Sequence, residues 1–187
     1  LVSGNCLKVK YTADYLDLAY DWVDVDITAG GSKTPEFLAL SPQGQVPVVA
    51  WDNGRALAQS NAILRFLAHD TVLLPRDPFA AAKVDEALFW EQYSHEPYIA
   101  VCRFQMLYAG RTASERDEWR VERGESALDF MNAHLASAQY WCATGFSIAD
   151  ISLLAYTRVA HEGGFDLDAR PNVKRWIAEA EKELALI

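Results

Sequence analysis

Val9, Ala13, Leu16 and Tyr20 recur at helical spacing. Directly after them Val23, Val25 and Ile27 alternate with Asp24 and Asp26, so a helix is predicted to lead into a half-buried strand. Thr34-Pro35-Glu36 places a cap residue, a first-turn proline and an acid at the start of a short second helix. Val46 to Trp51 reads as a buried strand, Asp52-Asn53-Gly54 as a tight turn, Arg55 to Ala58 as the returning strand, and Ser60 to His69 as a third helix. The order helix, strand, helix, hairpin, helix lacks one leading strand of a small α/β sandwich, and that strand is expected before Leu1. The pattern breaks between Ala68 and Ala80, where a His-Asp pair, two prolines and an Arg-Asp pair interrupt it. The expected organisation is therefore an α/β domain over residues 1–69, a linker over 70–79 and an all-helical domain over 80–187.

In the second domain Pro97 is expected to kink the first long helix, because it lacks an N–H and collides with the preceding turn. Leu128, Met131 and Leu135 form one apolar stripe, and Ile148, Ile151 and Ala155 another. Ser147-Ile148-Ala149-Asp150 supplies a cap residue with an acid three positions on, and Pro171 opens the last helix. Ser137 to Thr144 reads as an irregular connection from which residues are expected to be missing.

Composition narrows the functions open to such a fold. Of 187 residues 51% are apolar, enough for a substantial core, and the net charge of −9 disfavours nucleic acid or an anionic membrane surface as the main partner. The apolar runs are too short to span a bilayer. No secretory signal is visible, although the chain starts at Leu1 without a Met. Cys6, Cys102 and Cys142 are odd in number and lack metal-ligand spacing, and the four histidines suggest no metal site. That usage fits a reducing cytoplasm.

Three short motifs carry candidate chemistry. Ser3-Gly4-Asn5-Cys6 precedes a helix, whose first N–H groups and positive dipole end stabilise an anion such as a thiolate. In Gln45-Val46-Pro47 a proline opens a strand, where it removes a ladder donor and readily takes the cis form; the bend presents the backbone of Val46 to an extended peptide-like ligand. Gln59-Ser60-Asn61 begins another helix and offers a carboxylate site. Each also has a plainer reading: Ser3, Gln59 and Ser60 as ordinary caps, Cys6 as a small packed residue, and Pro47 as a turn former.

Together with Thr34 to Leu38, Ser41 to Pro47, Ala58 to Ile63 and Phe146 to Ile151, these motifs resemble the soluble glutathione S-transferases over nearly the whole chain, most of all bacterial members with a Ser-Gly-Asn-Cys start. The resemblance implies a thioredoxin-like glutathione-binding domain followed by an all-α domain, arranged as a homodimer. It implies that Val46 holds the cysteinyl backbone of glutathione, that Pro47 is a cis-proline, that Gln59 and Ser60 hold the γ-glutamyl carboxylate and amine, and that Lys33 and Gln45 face the glycyl end. At the sulfur it leaves two possibilities, Ser3 as hydrogen-bond donor or Cys6 as the working thiol, with Asn5 in support. The second domain would then receive a small, largely apolar electrophile, with Tyr98, Arg103, Phe104 and Tyr108 after Pro97 as candidate contacts.

A magnitude favours Ser3. To ionise at neutral pH, a thiol with a reference pKa of about 8.5 must fall by roughly one to two pH units, or ~1.4 to 2.7 kcal/mol. One charge-assisted hydrogen bond contributes about 1.5 to 3 kcal/mol and a helix N-terminus about 0.3 to 1. The expected activity is conjugation of glutathione thiolate to an electrophilic carbon, a detoxifying transferase chemistry without a metal. Two rivals stay open at this point: a Cys6-dependent thiol transferase exchanging disulfides with glutathione, and a transferase-like binding module without turnover.

Overall fold

In a computed structural model, which describes residues 3–186, the chain divides into two units, Leu1–His69 and Asp70–Ile187. The first described element of the first unit is helix α1, Gly4–Tyr15. Asp17 takes a left-handed backbone (φ 51°) and turns the chain out of the helix, so Tyr20 lies beyond it. There the Tyr20 hydroxyl donates to Asp14 at 2.7 Å.

The strand expected at Val23 to Ile27 does not form. A strand exists through its ladder, and the sheet of the described residues is a hairpin whose two strands bond only each other. Val23 is 77% exposed, and Asp26 bends the segment locally. Its carboxylate accepts from Thr28 N (2.9 Å), Thr28 Oγ1 (2.6 Å) and Ala29 N (3.0 Å).

Helix α2, Pro35–Leu40, starts as its sequence dictates, with the Thr34 hydroxyl accepting from Phe37 N at 3.2 Å. Strands β1, Val48–Ala50, and β2, Ala56–Ala58, pair antiparallel with Val48 opposite Ala58, Val49 opposite Leu57 and Ala50 opposite Ala56. Both are shorter than the apolar runs predict. Helix α3, Ser60–Leu67, packs against α1, and Tyr11, Ala13, Ile63 and Leu64 form the buried seam.

The second unit is helical throughout its ordered elements. Helix α4, Pro78–Trp90, is capped by Asp77, whose carboxylate accepts from Ala80 N at 2.8 Å. It continues through a π-helical turn, Glu91–His95, into α5, Glu96–Leu107. Pro97 thus falls in the first turn of α5, and the five-residue spacing ahead of it, with Glu96 N–H reaching Glu91 O, accommodates the N–H that proline lacks. Helices α6, Glu118–His134, α7, Ile148–Thr157, and α8, Pro171–Glu183, complete the unit.

All ten residues of α7 are buried, as its largely apolar composition requires, and Leu128, Met131, Leu135 and Trp176 are buried in the same unit. Residues 137–147 carry neither helix nor strand. They are anchored by Arg175 Nη2, which donates to Leu135 O (2.7 Å) and Ala138 O (2.8 Å). Among the described residues no helix is long and apolar enough to cross a membrane.

Candidate functional site

In the first unit, segments far apart in sequence bring the three motifs into one hydrogen-bonded chain of residues. Ser3 caps α1 through its backbone: with φ −62° and ψ 131° its carbonyl accepts from Cys6 N and Leu7 N, both at 3.0 Å. Its hydroxyl makes no capping bond. It lies close enough to the Cys6 thiol to draw its pKa down.

Burial pushes the Cys6 thiol pKa up, and the Ser3 hydroxyl works against this without reversing it. A thiol held protonated in this way is a poor exchanging group. Cys102 and Cys142 are buried, and their thiols too are pushed up, first by burial.

Asn5, in the first turn of α1, meets the start of α3. Its Oδ1 accepts from the buried Ser60 hydroxyl at 3.1 Å. Gln59, immediately before α3, has φ 71° and ψ 109°, a sparsely populated conformation for a residue with a side chain. Its carbonyl caps Ile63 N at 3.0 Å, while its Nε2 donates to Gln43 Oε1 at 3.0 Å.

The Gln43 carbonyl and the Gly44 carbonyl each accept from Lys33 Nζ at 3.1 Å. Lys33 ends a 3-10 turn, Gly31–Lys33, and can approach this closely because Gly44 has no side chain. A Cβ at Gly44 would stand 2.5 Å from Lys33 Nζ and 2.7 Å from Ser32 O, and φ is +62° there. Gln45 is held by Ser41, whose hydroxyl donates to Gln45 O at 3.0 Å. The next peptide, Val46–Pro47, is cis. Val46 stands ahead of the ladder, which opens at Val48, so β2 does not engage its backbone.

The four residues expected to contact an electrophile fare differently. Tyr98 and Arg103 are interior residues of the second unit: Arg103 pairs with Glu162, and the Tyr98 hydroxyl accepts from Arg123 Nη1 at 3.0 Å beside Trp119. Their polar atoms complete contacts within the unit. Phe104 and Tyr108, one helical turn apart, stack with centroids 5.1 Å apart, and Phe104 is 46% exposed.

Gln43 escaped the sequence reading because its side chain reaches a residue sixteen positions away, which no local pattern signals. Its place inside the Ser41 to Pro47 motif was the available hint. Among the described residues no group of three or more His, Cys, Asp or Glu could hold a metal ion.

Known proteins resemble this chain in both of its units. Residues 2–70 match the family model for the glutathione S-transferase N-terminal domain, and residues 113–179 match that for the C-terminal domain. Glutathione S-transferase 3 of Zea mays is 33% identical over 94% of this chain and 83% of its own length. A glutathione S-transferase structure from Pseudomonas fluorescens superimposes with a TM-score of 0.92 at 45% identity, covering 96% of this chain and 90% of the other. One from Xanthobacter autotrophicus does so with a TM-score of 0.89 at 41% identity, covering 96% and 88%. The first unit, with its α/β elements and cis Val46–Pro47 peptide, and the all-helical second unit have the glutathione S-transferase fold, and the chain belongs to the glutathione S-transferase family.

Proposed function

We propose that this glutathione transferase works as a serine-type enzyme, in which the Ser3 hydroxyl donates a hydrogen bond to the sulfur of bound glutathione and holds it as thiolate. The observation that carries this reading is the Ser3 hydroxyl itself, which is not used in capping α1 and already faces a sulfur atom, that of Cys6. The Ser-Gly-Asn-Cys start is then the mark of the bacterial-type members the chain resembles, with Ser3 as the working residue, Asn5 bracing Ser60, and Cys6 in a packing role. The raised thiol pKa of Cys6 speaks against the disulfide-exchange alternative.

Glutathione lies along the residues already linked to one another. Its γ-glutamyl carboxylate and amine meet Ser60 and Gln59, its cysteinyl backbone pairs with Val46 beside Pro47 like an added strand, and its glycyl carboxylate meets Lys33 and Gln45. Residues 1–69 form the glutathione-binding domain, and residues 80–187, after the linker at 70–79, form the acceptor-binding domain.

The thiol proton leaves to solvent, and the thiolate lone pair forms a C–S bond to an electrophilic carbon. The leaving group departs with the electron pair of the bond it breaks. Placement of the thiol and stabilisation of its charge by Ser3 and the α1 N-terminus account for the acceleration, with no general base. Phe104 and Tyr108 contact a small, largely apolar electrophile through their exposed stack. The three free cysteines suit a cytoplasmic protein in a glutathione-rich compartment.

Ultraviolet absorbance of bound thiolate, followed against pH, tests the central claim. Ser3→Ala is expected to move the thiolate midpoint up by roughly one to two pH units and to lower kcat/KM at neutral pH about 10- to 100-fold. Cys6→Ala is expected to leave both near the parent values. Loss of the neutral-pH thiolate in Cys6→Ala alone would overturn the serine assignment.

A further inference from the structure

We propose that Gln43 is a positioning residue for glutathione, whose side chain sets the orientation of the Gln59 amide so that it can bind the γ-glutamyl end. The inference rests on the reading above, in which Gln59 contacts that end of the ligand, and adds a residue that does not itself touch it.

Gln59 occupies a backbone conformation that side-chain-bearing residues seldom adopt, with φ 71°. Such a conformation persists only where the surroundings fix it, and here the side chain is fixed as well. Gln59 Nε2 donates to Gln43 Oε1 at 3.0 Å across sixteen residues of chain. A glutamine amide has two N–H donors and one carbonyl oxygen. With one N–H held by Gln43, the amide plane is set, and the second N–H and Oε1 remain for a carboxylate and an amine.

Lys33 is held by the same loop in a parallel way. Two of its three donors go to the carbonyls of Gln43 and Gly44, at 3.1 Å each, which leaves one for the glycyl carboxylate. Among the described residues Gln43 is therefore the one that bonds both ligand-directed groups, through its carbonyl at one end and its side chain at the other. Only the second contact depends on the residue being glutamine.

The test is a double-mutant cycle read by glutathione binding in calorimetry, with Gln43→Met, Gln59→Ala and the pair. Gln43→Met is expected to weaken glutathione about 3- to 10-fold, as for one lost neutral hydrogen bond, and to add nothing in the Gln59→Ala background. The pH midpoint of bound thiolate should stay where it is, because the sulfur is held by other residues. The affinity for cysteinylglycine, which lacks the γ-glutamyl group, should equally be unchanged by Gln43→Met. Gln43→Ala serves in the same cycle should the methionine variant fail to fold.

Unaltered glutathione affinity in Gln43→Met beside a loss in Gln59→Ala would overturn the proposal and leave the ligand reading standing. Additive losses, or an equal loss of cysteinylglycine affinity, would likewise overturn it. Unaltered affinity in Gln59→Ala would remove the ligand role of Gln59 and this proposal with it.

Discussion

Ser3 and Cys6 stand three residues apart on one helical turn, yet their surroundings give them opposite characters. The Ser3 hydroxyl is free of capping duty, whereas the Cys6 thiol lies half-buried and its pKa is pushed up. A raised thiol pKa means that Cys6 is protonated at neutral pH and gains thiolate only above the ordinary range of about 8.5. Alkylation of Cys6 by iodoacetamide, followed by mass spectrometry, is therefore expected to be slower at pH 7 than that of free glutathione and to rise with pH beyond that range. Fast alkylation at pH 7 would contradict it. The motif residues were legible because the helix start and its thiolate chemistry are local. The preference for serine over cysteine also came from the sequence, through the energy of one hydrogen bond, whereas the burial of Cys6 depends on what packs over it.

The capped helix starts are the most legible elements. Thr34 before α2 and Ser147 before α7 cap as their sequences predict. The second does more than close a helix. Asp150 accepts from Ser147 N, Ser147 Oγ, Trp141 N and Trp176 Nε1 at 2.8 to 3.1 Å, which ties α7, α8 and the irregular 137–147 connection to one buried carboxylate. Asp150→Ala would strand several buried donors and is expected to cost about 3 kcal/mol or more, measured by urea denaturation. A loss under 1 kcal/mol, on the order of an exposed cap alone, would show the network to be dispensable. The sequence showed the box, whereas the two tryptophan donors came from other segments. The strand expected at Val23 to Ile27 failed for a related reason: alternation states which face would be buried but supplies no ladder partner.

At the scale of the whole molecule, the exposed face of α3 presents Phe66, 58% exposed and edge-on to Trp51 at 5.3 Å, beside Ala62, Arg65 and His69. The second unit exposes Phe89 and Tyr93 at 75% and 79%. Large aromatics left in water are surface that another chain can cover, and we propose that a second copy of this chain covers it, in the homodimer that the family resemblance implies. Light scattering after size exclusion is expected to give twice the chain mass, and Phe66→Glu to shift it toward the monomer by placing a charge on an apolar contact. A parent protein that elutes as a monomer at micromolar concentration would remove the homodimer.

What the sequence by itself determined was everything carried by neighbours: the helix starts, the hairpin turn at Asp52-Asn53-Gly54, the apolar stripes of α6 and α7, and the motifs that mark the family. These depend on spacing within a few residues, where backbone geometry and side-chain period act directly. The tertiary structure alone decided which polar groups meet. Asn5 and Ser60 are 55 positions apart, and Gln43 and Gln59 sixteen. It also took Tyr98 and Arg103 into the interior while leaving Phe104 exposed. A side chain's partner and its exposure are set by segments that fold against it from elsewhere, and one chain's pattern of apolar and polar positions does not record which segments those are.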